Sequence, residues 1–202
     1  MHPGKVKDSE IKESNPEEDA SIVRIALDLG VTDARLITPD QVVVASWVRL
    51  KCQFGCPSFA STLICPPFTP PADEVRRALS EYSKILALRF DQAQIQHARN
   101  SKEFASALSG RQKTVNEITT RIERELLLKG YYKAFALPPS RCSLCAECAL
   151  RPGKCQHPMQ VRPMPESLSI DVFQTVRNIG WSVEVKTDPG QSWASYGLIL
   201  VE

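Results

Sequence analysis

The sequence predicts a single α+β or α/β domain: a mixed sheet with flanking helices, from which two cysteine-rich loops project. Three observations carry that expectation. Segments of strand pattern alternate with segments of helical pattern, without a strict strand–helix–strand repeat. The 202 residues, 43% of them hydrophobic, suffice for one sizeable core, and the length favours one domain over two. Seven cysteines fall in two short stretches, three between positions 52 and 65 and four between 142 and 155.

Residues 1 to 18 carry Lys5, Lys7, Asp8, Glu10, Lys12, Glu13, Glu17 and Glu18 with hardly an apolar side chain. Such a stretch cannot bury enough surface to offset its ordering entropy, so 1–18 reads as a disordered or loosely attached tail and 19–202 as the folded domain. From Asp19, the spacing of Ile22, Ile25, Ala26 and Leu29 predicts a helix stopped by Gly30. Ala34–Ile37 reads as a short strand before the turn signal Pro39-Asp40. The β-branched content of Val42–Leu50 favours a second strand, leading into the first cysteine loop.

Pro66, Pro67, Pro70 and Pro71 close that loop along an extended path, and a helix is expected from Pro71 to about Tyr82. Lys84–Phe90 reads as a buried strand. A long helix is expected from about Arg99 to Lys129, with Phe104, Leu108, Val115, Ile118, Ile122 and Leu126 on one stripe and Gly130 as its stop. Tyr132–Leu137 is the strand that delivers the second cysteine loop. After it, a helix from Pro165 to Gly180 precedes strands over Trp181–Lys186 and Ser195–Val201, with the turn Thr187-Asp188-Pro189-Gly190 between them.

The net charge of +2 gives no reason to expect nucleic acid or an anionic membrane as partner. No apolar run approaches the roughly 18 residues of a membrane span. The amino terminus is polar and lacks the apolar core of a secretory signal, which points to a reducing, cytoplasmic setting where structural disulfides are rare. An odd number of cysteines in two tight groups fits pairwise bridging poorly and metal ligation well.

The stretch Cys142-Ser143-Leu144-Cys145-Ala146-Glu147-Cys148, closed by Cys155 after the turn Pro152-Gly153, is the strongest signal. Three thiolates at intervals of three surround one face of a cubane, and a fourth completes it, as in bacterial ferredoxins. Thiolates also suit zinc, but zinc sites usually unite two separated pairs, so the triplet favours a [4Fe–4S] cluster with zinc as the alternative. Cys52, Cys56 and Cys65 supply three thiolates only. They would leave one iron of a second cluster for a substrate, water or another side chain, the arrangement that Lewis-acid chemistry needs. His157 is expected to be a loop histidine rather than a ligand.

The two loops and their flanks resemble an uncharacterised bacterial and archaeal family of predicted metal-binding proteins, domain of unknown function 2284. The residues that carry the resemblance are Val48–Cys52, Gly55-Cys56-Pro57 and Cys65-Pro66-Pro67 in the first half. In the second they are Cys142–Cys145, Cys148-Ala149, Gly153-Lys154-Cys155, His157-Pro158, Arg162-Pro163 and Ile170-Asp171-Val172. The resemblance spans about residues 35 to 190 and implies metal binding without an established reaction. Its relatives tend to carry glycine before the position of Cys142, where this chain has Pro138-Pro139-Ser140-Arg141.

Arg49, Lys51, Arg141, Arg151, Lys154 and Arg162 place positive charge around the cysteines, either to compensate an anionic cluster or as ordinary surface. Asp171 reads as helix-surface polarity, and Trp47, Trp181 and Trp193 as packing residues. No phosphate loop, zinc-protease helix or nucleophile elbow occurs. The expected function is electron transfer or redox work with a partner protein. The alternatives are an enzyme with an open-iron three-cysteine cluster acting on a small molecule, and a zinc-stabilised interaction protein. The oligomeric state is left open.

Overall fold

The computed structural model describes residues 15–92, 100–150, 153–184 and 192–202. Helix α1 (Pro16–Asp28) starts where Asn15 caps it, its side chain accepting the Glu17 N–H at 3.1 Å, with proline at the first position and Glu17, Glu18 and Asp19 in the first turn. The helix therefore begins three residues before the expected Asp19, and residues 15–18 of the expected tail are ordered. Residues 1–14 lie outside the described residues.

Strand β1 (Asp33–Ile37) follows the turn at Gly30, whose φ of +97° suits a residue without a Cβ. It pairs with β2 (Ile85–Gln92), β2 with β4 (Trp193–Leu200), and β4 with β3 (Phe135–Leu137). The sheet order is β1-β2-β4-β3, and every pairing is antiparallel, which decides for α+β over α/β and makes the sheet antiparallel rather than mixed.

Alternation along β2 assigns the two faces. Leu86, Leu88 and Phe90 join Ile199 and Ala136 beneath α1 and α4 (Ser101–Leu128), meeting Ile22 and Ala26 of the first helix and Val115, Ile122 and Leu126 of the second. Ile85 and Ala87 face the other way. There they pack with Leu137, Leu198 and Leu200 against Val75 and Leu79 of α3 (Ala72–Leu79), Val176 of α5 (Val172–Asn178) and the buried Trp181. Only the second half of the α4 stripe reaches the core, since Phe104 and Leu108 remain half-exposed. Asn100 caps this helix, which starts at Ser101, two positions after the expected Arg99.

Three expectations change. Val42–Leu50 is not a strand: Val44 forms one isolated antiparallel bridge to Ile170, and α2 (Ser46–Gly55) follows. The β-branched residues are concentrated before Ser46, whereas Ser46–Gly55 holds only Val48, buried against the core, among better helix formers such as Arg49, Leu50 and Lys51. The helix expected from Pro165 to Gly180 is split into a 3-10 turn (Pro165–Leu168) and α5. Ser169 breaks it with a left-handed φ of +64°, and its carbonyl accepts the Ala45 N–H at 2.8 Å. Residues 181–184 form no strand, and the remainder of that expected strand and the turn at 187–190 lie outside the described residues. No helix among the described residues is long and apolar enough to cross a membrane.

Candidate metal centre

The first group of cysteines begins on a helix, not a loop. Cys52 sits in the last turn of α2, Cys56 is its C-cap, and Cys65 lies beyond an irregular segment. Cys65 is buried, Cys52 half-buried and Cys56 exposed. This segment is fastened at several points. Arg49 donates to the Pro70 and Thr69 carbonyls at 3.1 and 3.2 Å, and Arg76 donates to the Val44 carbonyl at 2.8 Å. The Thr69 hydroxyl donates to the Ser167 carbonyl at 2.7 Å, so the 3-10 turn is tied to the chain just past Cys65.

The second group lies on irregular chain leaving the edge strand β3. Gly197 in β4 lets that chain pass. A Cβ there would stand 3.1 Å from both the Leu137 carbonyl oxygen and Pro139 Cδ. The Asn116 side chain on α4 then donates to the Ser140 and Arg141 carbonyls at 3.3 and 2.9 Å, setting the path just before Cys142. After Cys155 the chain is pinned again: Arg162 Nε lies 2.9 Å from each carboxylate oxygen of Glu123, and its guanidinium sits 5.3 Å from the Phe135 ring centroid. Cys142, Cys145, Cys148 and Cys155 are all half-buried.

The two groups meet. The Leu63 N–H, from the first segment, donates to Cys148 Sγ at 3.4 Å, and Arg141 donates to the Ser58 hydroxyl. Within each segment sulfur is also an acceptor: Cys65 Sγ from the Thr62 hydroxyl at 3.1 Å, and Cys155 Sγ from the His157 N–H at 3.3 Å. The contact of His157 with that sulfur is made by its backbone N–H.

All seven thiols are unbridged, and among the described residues no three Cys, His, Asp or Glu side chains converge on one point. The donor chemistry nevertheless fits a soft metal. Burial pushes the Cys142 thiol pKa up, the Leu144 N–H partly offsets this, and the neighbouring Cys145, Cys155 and Cys148 push it up further. Burial likewise raises Cys52, helped by Cys56, Cys65 and Glu166 and opposed by Arg49. At Cys52 and Cys142 deprotonation is thus resisted, and a nearby cation would ease it.

Glu166 is a residue that no sequence pattern marks. It stands in the 3-10 turn packed against α2, and its Oε2 is sealed from solvent with no hydrogen-bond partner. Burial pushes its carboxyl up to about 7, with only its own backbone N–H acting in the other direction. Nothing in the run Met164-Pro165-Glu166-Ser167 distinguishes it from a surface glutamate.

The cations near the cysteines are mostly structural. Arg49, Arg141 and Arg162 hold chain segments together, and the Lys51 ammonium lies 5.1 Å from the ring centroid of Trp47, which is exposed rather than packed in the core. Arg151 lies outside the described residues. Asp171 is the N-cap of α5, accepting the Gln174 N–H at 3.0 Å. A cavity of about 350 Å³ opens beside Cys142, between α4 and the chain after Cys155, lined by Asn116, Arg121, Gln160 and Arg162.

No curated protein and no solved structure matches the chain. The family described as predicted metal-binding protein (DUF2284) matches residues 35–201, a span that takes in both cysteine segments, strands β2, β3 and β4 and all but the first two residues of β1. The chain belongs to that metal-binding family.

Proposed function

We propose that this is an iron–sulfur protein. Cys142, Cys145, Cys148 and Cys155 hold one [4Fe–4S] cluster, a second sits on the Cys52, Cys56 and Cys65 segment, and electrons pass to a partner protein in a reducing, cytoplasmic setting. The observation that carries the reading is a thiol-only donor set at cluster spacing, whose sulfurs already accept N–H hydrogen bonds. When bound, such a cluster supplies a one-electron couple. The chain's own part is to set that couple: N–H donors from Leu63, Leu144 and His157 withdraw charge from sulfur and favour the reduced form. The Leu63–Cys148 contact holds the two segments together, as relay between two centres requires.

Anaerobic purification with iron, sulfide and zinc quantitation tests the reading. About four irons per chain with equal sulfide, and reversible reduction without substrate, are expected for one cluster, and about eight for two. A colourless protein with stoichiometric zinc overturns it in favour of a zinc-stabilised fold. One observation favours a catalytic reading instead. The cavity at Cys142 would admit a small molecule beside the four-cysteine centre, whereas the sequence placed open chemistry at Cys52, Cys56 and Cys65. A small ligand that shifts the spin-resonance signal of the loaded protein would support that alternative.

A further inference from the structure

We propose that the outer face of α2 is the docking surface for a small acidic electron-carrier protein, seated on Trp47, Leu50 and Phe54 beside the first cysteine segment. The kind of partner rests on the electron-transfer reading above. The surface itself does not.

The first support is an apolar stripe turned to solvent. Positions 47, 50 and 54 are three and four residues apart, so their side chains share one face of the helix. Val48 is buried and Cys52 half-buried, which sets the other side of α2 against the domain. Trp47, Leu50 and Phe54 are 46%, 59% and 79% exposed. A single apolar side chain at a surface needs no explanation, but three on one helical face form a patch.

The second support is charge. No Asp or Glu occurs between Asp40 and Asp73, a stretch that contains α2 and all three cysteines of the segment. Arg49 and Lys51 lie in α2, and Arg141 joins them by donating to the Ser58 hydroxyl. Among the described residues none of these three forms an ion pair, whereas Asp73 is taken by Arg76. Lys51 borders the stripe itself, its ammonium 5.1 Å from the Trp47 ring centroid. A second copy of the chain would set this positive rim against itself, while an acidic partner is drawn to it. Three cations also fall short of the cluster of about 4–8 that marks a lipid-binding surface.

The third support is size. With side-chain areas of about 150–250 Å² for each aromatic, the stripe exposes on the order of 300 Å² of apolar surface. At the usual apolar share of about 57%, that is the centre of an interface of roughly 500 Å² a side. Stable complexes bury about 800 Å² a side, and transient electron-transfer complexes lie below them. The stripe also leads to the right place. Phe54 stands two residues before the exposed Cys56, so a carrier seated on α2 is brought to the first cysteine segment.

The test uses the full chain, loaded anaerobically with iron(II) and sulfide, as wild type, Leu50→Ser, Phe54→Ser and Lys51→Glu. Circular dichroism and iron content should match across all four, since each replaced side chain is exposed. Binding is measured calorimetrically to two carriers of opposite charge, an acidic plant-type [2Fe–2S] ferredoxin and a basic cytochrome c. The ferredoxin should bind the wild type more tightly than cytochrome c does, and lose at least about tenfold between about 50 and 300 mM salt. Leu50→Ser and Phe54→Ser should each weaken it at least about fivefold, and Lys51→Glu about tenfold, with cytochrome c binding improved by Lys51→Glu. No binding of the ferredoxin, tighter binding of cytochrome c by the wild type, or ferredoxin affinity unchanged in all three variants overturns the inference. Adhesion to phosphatidylserine-containing vesicles that Phe54→Ser abolishes would overturn it in favour of a membrane. A concentration-dependent dimer in sedimentation that Phe54→Ser abolishes would overturn it in favour of a second copy. Reduction by dithionite separates the two readings. If the loaded chain is reversibly reduced but the docking results fail, the inference falls and electron transfer stands; if no reducible cluster forms, both fall together.

Discussion

The sheet and the cysteine segment that follows it are stabilised by different means. The sheet buries an apolar cluster on each face, and Ile85, Leu86, Leu88, Ile199 and Leu137 are fully enclosed. The stretch from Pro138 to Met164 contains no helix or strand among its described residues. It is fixed near its ends by Asn116 and Arg162, and between those ties its four thiols lie half-buried on irregular chain. A chain segment without its own core needs another source of order, and in metal-binding loops the ion supplies it. The sheet should therefore hold its fold with or without metal, and the cysteine segment should not.

Two substitutions break that contrast if it is wrong. Ile199→Ala empties a fully buried site on the central strand β4 and should cost about 4 kcal/mol, lowering the denaturant midpoint of the whole chain. Cys145→Ser should leave that midpoint within about 1 kcal/mol of the wild type, while opening residues 138–164 to limited proteolysis. A sheet that melts when Cys145 is replaced would show the two regions to be one cooperative unit.

The tie between the regions comes next. The side chains of Arg162 and Glu123 are 17% and 4% exposed, so their pairing joins the end of the cysteine segment to α4 in a largely water-free place. Arg162→Leu leaves the Glu123 carboxylate buried without its cation and should cost about 3 kcal/mol in the same denaturation measurement. Replacing both, with Glu123→Leu added, should recover most of the loss, since an apolar pair of similar volume fits where an orphaned charge does not. No recovery in the double variant would assign the cost of Arg162→Leu to its contact with the Phe135 ring.

The same contrast explains how much was legible in the sequence. Elements that bury one face announce themselves by period. The stripe Val115, Ile118, Ile122 and Leu126 and the run Ile85–Phe90 gave α4 and β2 nearly their observed bounds. The stretch Val42–Leu50 misled because β-branched residues meant for one isolated bridge stand directly before a helix, and propensity has no way to divide them. Ser169 split an apparently continuous helix through a left-handed backbone that serine rarely adopts. The two cysteine groups stood out because their spacing can be read without knowing the fold. Glu166 did not, since its interest lies in an oxygen that folding leaves sealed and unpartnered, and that is a fact of packing alone. The contact of Leu63 with Cys148 joins residues 85 positions apart and has no local signature either.

The smallest effect sharpens the comparison through pH. The three tyrosines with raised pKa values, Tyr82, Tyr131 and Tyr196, pack with the core clusters on the two faces of the sheet and lie outside the cysteine segments. Burial is the largest cause in each. At Tyr131 the hydrogen bond from its hydroxyl to Glu18 Oε1, 2.7 Å long, comes second and ties the end of α4 to the first turn of α1. A phenol held above its ordinary value of 10 keeps its proton in the folded chain at a pH where the unfolded chain has lost it. The contribution is therefore fully present below pH 10 and falls as pH rises through and beyond it. Tyr131→Phe should lower stability by about 1 kcal/mol at neutral pH through loss of that hydrogen bond. It should also flatten the alkaline decline between about pH 10 and 11.5, because one of the three phenols with raised pKa no longer titrates. Denaturant midpoints across that range check both halves of the expectation. An alkaline slope identical to that of the wild type would show that Tyr131 does not hold its proton differently on folding.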